Sequence, residues 1–131
     1  MMVLDTHVLI WWLSAPNELS AAARRALRRA SPETPAVVSA ISVLEITTAA
    51  RRGRLEFSTP VEQWIADARS LPELRCEPVS AEIAQLAGSF GEAMHGDPAD
   101  RIIAATALSL AAPLLTADGK LRSSRGLKTI W

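Results

Sequence analysis

Cysteine is nearly absent from this sequence of 131 residues, which contains Cys76 and no other. A single cysteine excludes an internal disulfide and a zinc site built from several thiolates. Cys76 lies mid-strand in the predicted secondary structure with no evident base nearby, so we expect a buried structural thiol and not a nucleophile.

The chain also lacks an excess of either charge. Lys and Arg together number 14, as do Asp and Glu, so the formal net charge is zero. A general basic surface for holding nucleic acid is therefore missing, and polyanion binding would depend on local clusters. Two arginine clusters are candidates, although a solvated helix face is the simpler interpretation of both. They comprise Arg24, Arg25, Arg28 and Arg29, and then Arg51, Arg52 and Arg54.

Long hydrophobic runs are missing as well. The apolar run at 102–115 is too short for a bilayer and is interrupted by Ser109 and Pro113. The apolar N-terminal segment contains Asp5 and His7 and has no basic residue before them, which is wrong for a signal peptide. These features predict a cytoplasmic protein with no membrane association.

What the sequence does contain is the material for one globular core. Apolar residues make up 49% and charged residues 21%, as in ordinary folded domains. The length predicts a single domain over 1–131. Strands are expected at 2–10, 35–40, 74–79 and 113–118, with a possible fifth at 127–131. Helical patterns begin at Ser20, Ser42, Thr59, Ser80 and Asp97. The helix that begins with the capping box at 59–62 is expected to end near Ser70.

Strands and helices therefore alternate along the chain. Alternation predicts an α/β fold, a three-layer α/β/α sandwich with a central, mainly parallel sheet of four to five strands. In such sheets ligands bind beyond the carboxyl ends of the strands. Four acids fall at these ends or in the helices that follow: Asp5, Glu45, Asp100 and Asp118.

Each acid also has an ordinary structural explanation. Glu45 forms a possible capping box with Ser42, Asp97 before Pro98 is a good helix cap, and Asp118 before Gly119 suits a turn. Asp5 is hardest to explain in this way, because a strand interior rarely keeps an unpaired carboxylate. Helix capping does not explain why four acids gather at one edge.

Clustered carboxylates without facing lysines repel one another, and a hard cation relieves that repulsion. Mg²⁺ or Mn²⁺ accepts carboxylate oxygens together with water and phosphate, and can assist hydrolysis of a phosphodiester. Zinc bound by Asp5, His7 and His95 is a weaker alternative, which assumes that Asp5 and His7 share one strand face.

Four segments in this order, LDTHVLIWWL, SAISVLEI, HGDPADRIIAATAL and LLTAD, closely resemble the PIN-domain family, and within it the VapC toxins of bacterial type II toxin–antitoxin pairs. The resemblance covers nearly the whole chain. It implies a PIN-like sandwich and a Mg²⁺- or Mn²⁺-dependent endoribonuclease that leaves a 5′-phosphate and a 3′-hydroxyl. It also implies RNA as substrate, a small cognate antitoxin protein as partner, and a homodimer.

The resemblance also assigns roles to residues. Asp5 and Asp100 would be the main metal ligands, while Glu45 and Asp118 would complete the site or orient the attacking water. Asp97 matches a frequently acidic position. The remaining matches are hydroxyl groups that support the site, at Thr6 and Thr116.

Three residues keep alternative roles. Arg101 would contact RNA phosphate or form an ion pair within the acidic cluster. Trp11 and Trp12 would stack on bases or pack under the first helix. Two other functions also stay open for the chain: a nuclease of RNA maturation without a toxin role, and a PIN-like scaffold that binds a partner without catalysis.

Overall fold

A computed structural model of the chain describes residues 1–92, 94 and 96–131. Its centre is a five-stranded sheet in which every strand pairs parallel to its neighbours, in the order β3-β2-β1-β4-β5. The strands are β1 (Met2–Leu4), β2 (Ala36–Ser39), β3 (Leu74–Glu77), β4 (Leu114–Leu115) and β5 (Thr129–Ile130). The helices are α1 (Thr6–Ser14), α2 (Ala21–Leu27), α3 (Ala40–Arg51), α4 (Val61–Arg69), α5 (Ala81–Ser89), α6 (Pro98–Ser109) and α7 (Gly119–Arg122).

Both faces of the sheet are buried, which gives the expected three layers. Met2 and Leu4 of β1 point into one core, together with residues of α1, α2 and α4. Val3 points to the opposite face and packs against α6 and α7. Because successive side chains of a strand alternate between faces, a continuous apolar strand fills both cores. The predicted α/β/α architecture, including the fifth strand, is confirmed.

The first predicted strand, 2–10, is wrong beyond its first three residues. β1 ends at Leu4, and α1 begins at Thr6. Asp5 adopts an extended conformation, and its side chain accepts a hydrogen bond from the Val8 backbone N–H, which is N-cap geometry. The apolar run continues through both elements because both are buried, so hydrophobicity alone concealed the boundary.

Two predicted capping boxes are also wrong. The cap of α3 is Ser39 and not Ser42, which is buried one turn inside the helix. The cap of α4 is Pro60, with no side-chain hydrogen bond from Thr59 at that position. Ser20, Ser80 and Asp97 cap α2, α5 and α6 as predicted.

The order of the strands shows where this sheet would bind a ligand. β1 is central, with β2 on one side and β4 on the other, so the strand order reverses direction beside β1. The crevice outside the carboxyl ends at such a reversal is where open parallel sheets bind ligands. Among the helices in the described ranges, none is long and apolar enough to cross a membrane.

Candidate acidic active site

A cavity of about 400 Å³ opens at this reversal point, and we call it the acidic pocket. Among the described residues, five carboxylate side chains line it and no lysine or arginine does. These lining residues are Asp5, Thr6, His7, Trp11, Glu45, Asp97, Asp100, Ala117 and Asp118. All four predicted acids and Asp97 are therefore brought together, from the residue after β1, from α3, from the start of α6 and from the segment after β4.

Asp5 lies at the back of this pocket with 8% of its surface exposed. One carboxylate oxygen accepts the Val8 N–H at 2.9 Å, and the other accepts a hydrogen bond from the Thr116 hydroxyl. The Asp5 backbone N–H donates to the Leu115 carbonyl at 3.1 Å. Both the backbone and the side chain of Asp5 are thus held by β4 and α1.

Thr6 fixes the second acid. Its hydroxyl donates to Glu45 Oε1 at 2.5 Å and lies 2.8 Å from the hydroxyl of Ser42. Glu45 stands one turn further into α3 than the sequence suggested, because the helix starts at Ala40. The fully buried Ser42 therefore helps to connect α1 with α3 at the floor of the site.

Asp97 and Asp100 enter from the first turn of α6. Asp97 Oδ1 accepts the backbone N–H groups of Ala99 and Asp100 at 2.8 and 3.1 Å. This cap fixes the start of the helix and presents Asp100, at its third position, to the pocket. The capping explanation and the site explanation of this segment are both supported.

Thr116 and Asp118 enter from the end of β4. The buried Thr116 hydroxyl donates to Asp5 and accepts the Asp118 backbone N–H at 3.0 Å. Asp118 Oδ1 accepts the N–H groups of Lys120 and Leu121 at 2.8 and 3.1 Å, so this carboxylate also caps a helix. Thr116 consequently positions two acids at once.

The electrostatics of the pocket favour a proton or a cation. Burial raises the pKa of Asp5 above its ordinary value, and the nearby charge of Asp118 raises that pKa further. The hydrogen bonds from Thr116 and Val8 and the charge of His7 oppose the rise. Removing Asp5 from water is the dominant cause, and an added positive charge would relieve its cost.

The donor set consists of hard oxygen atoms, apart from His7. However, within 1–92, 94 and 96–131 no group of three or more His, Cys, Asp or Glu side chains forms a ready metal-ligand arrangement. The acids surround a space of several water volumes and do not converge on one point. The pocket is suited to an ion that keeps part of its water shell.

Arg101 is not among the residues lining the acidic pocket. Its guanidinium donates to the carbonyl groups of Ala87, Phe90 and Gly91 at 3.2, 2.8 and 3.2 Å, and so ties α6 to the end of α5. These contacts give Arg101 a structural role, because they join the two helices α5 and α6.

The zinc alternative loses its geometric premise. His7 belongs to the first turn of α1, so Asp5 and His7 do not share a strand face. His95, the third ligand of that alternative, lies outside the described residues.

Sequence reasoning missed Ser42 as part of the site and considered His7 only as a ligand of the zinc alternative. Ser42 had been assigned to a helix cap, which hid its contact with Thr6. His7 lines the pocket and contacts Trp11, with ring centroids 5.7 Å apart. Trp11 also lines the pocket, whereas Trp12 packs against the core. A helix start at Thr6 would have indicated both His7 and Trp11, since they lie one turn apart.

The comparisons with known proteins agree with this geometry. The PIN domain family matches residues 2–126. Ribonuclease VapC22 of Mycobacterium tuberculosis is 34% identical over 132 residues, covering 99% of this chain and 98% of the relative. VapBC2 of Rickettsia felis, solved with a DNA fragment from its promoter, has a TM-score of 0.73 at 15% identity and covers 98% and 96%. A toxin–antitoxin complex from Klebsiella pneumoniae gives 0.67 at 22% identity, over 97% and 95%. The two structural likenesses concern the fold.

Proposed function

This chain belongs to the PIN-domain family, and we propose that it is a divalent-metal-dependent endoribonuclease that acts as the toxin of a toxin–antitoxin pair. The observation that carries the proposal is the acidic pocket, in which five carboxylates from four separate segments line one cavity, with no lysine or arginine among the described lining residues. The name of the relative at 34% identity, a ribonuclease, supports RNA as the substrate.

Mg²⁺ or Mn²⁺ is the cofactor that fits the donor set. Mg²⁺ usually keeps several waters and is bound through one or two carboxylates together with substrate phosphates. A pocket with spaced acids and no closed ligand group suits this mode of binding. Asp5 and Asp100 would hold the ion, while Glu45 and Asp118 would complete its surroundings or orient the attacking water. The bound ion would stabilise the charge that develops on the phosphate.

The protein's own contribution is to hold these groups before RNA arrives. Thr116 fixes Asp5, and Thr6 fixes Glu45, each through a side-chain hydroxyl. Asp97 fixes the helix start that carries Asp100. Water would attack the phosphorus, and the 3′ oxygen would leave and take up a proton, which yields a 5′-phosphate and a 3′-hydroxyl. Prior positioning of this kind lowers the barrier by reducing reorganisation.

A small antitoxin is the proposed partner, since the Klebsiella pneumoniae structure of the same fold is a toxin–antitoxin complex. The proposal includes a homodimer and a cytoplasmic location, where RNA and a co-expressed antitoxin are both present. Arg101 is left out of the substrate contacts because its guanidinium binds carbonyl oxygens of α5 and the following loop.

Induced expression in bacteria tests this function without a guess at the RNA target. We expect growth arrest from the wild-type chain and none from Asp5→Asn or Asp100→Asn, because both remove a carboxylate charge from the pocket. Asp67→Asn is the matched control, since Asp67 is an exposed acid of α4 that does not line the pocket. Soluble expression of all four proteins is measured in parallel.

The outcomes separate the competing functions. Arrest by wild type and Asp67→Asn alone supports a toxin that acts through the carboxylates. Arrest by all four proteins indicates inhibition by binding, and would contradict the catalytic proposal. The absence of arrest with good expression would favour a nuclease without a toxin role.

A further inference from the structure

A second cavity, of about 540 Å³, continues from the acidic pocket along α3, and we call it the arginine groove. The two cavities share lining residues, namely Thr6, His7, Glu45 and Asp97. The other residues of the groove are Ile10, Leu44, Thr48, Ala49, Arg52, Arg54 and Leu55. A ligand that crosses the acidic pocket would therefore extend into this groove without leaving the protein surface.

The groove adds positive charge beside the acids that it shares with its neighbour. Arg52 and Arg54 line it, whereas no lysine or arginine is among the described residues that line the acidic pocket. Both arginines are exposed, and no ion pair or side-chain hydrogen bond joins either guanidinium to another described residue. Two unpaired guanidinium groups beside a cluster of acids form a site for an anion that the acids alone would repel.

The backbone holds the two arginines in place. Helix α3 ends in a Schellman motif, in which Gly53 N–H donates to Ala50 O at 3.1 Å and Arg54 N–H donates to Ala49 O at 2.8 Å. Gly53 has a φ of +72°, in the left-handed region that the motif requires. Arg52 and Arg54 thus flank a defined turn and do not lie on a loose loop.

Apolar side chains also line the groove. Leu44 leaves 60% of its surface exposed, the largest exposed fraction among the described large hydrophobic side chains. Ile10 and Leu55 lie in the same lining. Apolar side chains next to two cations match the two parts of a nucleotide, whose base is flat and whose phosphate is charged. The volume lies within the range of about 300–1,000 Å³ typical of small-ligand sites.

We propose that the arginine groove binds the RNA nucleotide next to the scissile bond, with its phosphate on Arg52 and Arg54 and its base against Leu44. The position of the cut rests on the proposed nuclease function, whereas the RNA contacts do not. RNA is favoured over a protein segment because two guanidinium groups that pair with no described residue lie next to the acidic pocket, where they match the negative charge of a phosphate. The arginine groove would supply the electrostatic attraction that the chain's zero net charge fails to provide.

Fluorescence anisotropy with a labelled random-sequence RNA of 12 nucleotides tests the groove. Binding is measured in EDTA over a series of salt concentrations, and a gel confirms that the probe stays intact. We expect Arg52→Gln/Arg54→Gln to bind about tenfold more weakly. The slope of log affinity against log salt should fall by about 0.7, since the two arginines share one phosphate and each phosphate neutralised on a single strand contributes about 0.7.

Two control proteins make the result specific. Arg25→Gln/Arg28→Gln removes the same charge from two exposed positions, one in α2 and one directly after it, that line neither cavity. This variant should bind like wild type with an unchanged slope. Leu44→Ala should weaken binding but leave the salt slope unchanged, because it removes an apolar contact and no charge. Loss of affinity in both arginine pairs alike would overturn the proposal in favour of general charge attraction.

A parallel cleavage assay with Mg²⁺ or Mn²⁺ keeps the two proposals apart. If wild type cleaves RNA and the Arg52/Arg54 variant keeps full affinity and slope, the groove proposal fails and the nuclease stands. If the arginines control binding but no cleavage occurs, the groove stands and the nuclease fails. Unchanged RNA binding together with lost antitoxin binding would assign the groove to a protein segment and overturn the proposal, as would the absence of RNA binding by wild type.

Discussion

At the scale of single residues, Asp5 uses its two carboxylate oxygens for different purposes. One oxygen caps α1 through Val8, and the other receives the Thr116 hydroxyl from the neighbouring strand segment. The orientation of the carboxylate is therefore set by the folded chain and not by its ligand. Groups fixed in this way lose little entropy when they bind an ion or a substrate.

The raised pKa of Asp5 has a consequence for stability in EDTA. In the unfolded chain the Asp5 carboxyl has its ordinary pKa of 3.8, whereas burial raises the pKa of this group in the folded chain. The folded state then holds this proton more tightly, so the stabilising contribution is complete below 3.8 and is lost as pH rises through the folded pKa. We expect the melting temperature of wild type to fall relative to that of Asp5→Asn as pH rises towards neutrality.

Calorimetry of both proteins in EDTA across this pH range measures the difference. Asparagine keeps the oxygen that accepts the Val8 N–H, so the variant preserves the helix cap. Asp67→Asn, run in the same series, controls for replacing an exposed acid by an amide. If the difference in melting temperature between wild type and Asp5→Asn stays constant with pH, burial does not raise the pKa of Asp5 as proposed.

At the scale of elements, the turn that ends α3 requires a glycine, whereas an ordinary helical position does not. Gly53 has a positive φ, whereas Gly88 lies within α5, and an added Cβ would meet no atom within 4 Å at either. We expect Gly53→Ala to destabilise the chain by about 1 kcal/mol, because alanine is strained in the left-handed region. Gly88→Ala should instead stabilise it by about 0.5–1 kcal/mol, since alanine favours the helix.

Urea denaturation of the two variants tests whether their changes in the free energy of unfolding have opposite signs. The backbone alone distinguishes the two positions, because both have open space for the new methyl group. Destabilisation of equal size in both would show that the conformation of Gly53 is not what the turn depends on. RNA binding by Gly53→Ala should also weaken, since the turn orients Arg52 and Arg54.

The helices and strands also show how much of the fold and of the site could be predicted from the sequence. Alternating strands and helices, the caps at Ser20, Ser80 and Asp97, and the gathering of acids at one edge follow from local patterns. The end of β1 did not, because apolar residues continue from the strand into α1. The role of Ser42 depends on a contact with Thr6, 36 residues away, and no local pattern records such a contact.

The same limit applies to charged side chains. The sequence places Arg101 beside Asp100, but the direction of its guanidinium is set by carbonyl groups at the end of α5. In the sequence, Arg52 and Arg54 form a candidate cluster for polyanion binding or a solvated helix face, and only the fold shows that they adjoin the acids. Neighbours in sequence are predictable, whereas neighbours across elements follow from packing.

At the scale of the whole molecule, metal binding should appear as added stability. An ion that binds only the folded chain at ten times its dissociation constant stabilises that chain by about 1.4 kcal/mol. For a domain of this length this corresponds to a rise in melting temperature of about 5 °C. We expect this rise when Mg²⁺ or Mn²⁺ is added to wild type and to Asp67→Asn.

The rise should be absent in Asp5→Asn and Asp100→Asn, because each removes a carboxylate charge from the acidic pocket. Differential scanning fluorimetry, from EDTA through increasing metal concentration, provides the measurement. An equal rise in all four proteins would place the ion outside the pocket and contradict the proposed ligands.

The contact between Thr116 and Asp5 spans 111 positions of the chain. On a ribosome that adds about 5–20 residues per second, Asp5 would be made roughly 6–22 s before Thr116. During that interval β1 has no β4 beside it, and neither Thr116 nor Asp118 exists to complete the pocket. If the chain cleaves RNA through this pocket, as proposed, a nascent chain would be inactive during that interval, and an inhibitor made at the same time would have the interval in which to accumulate.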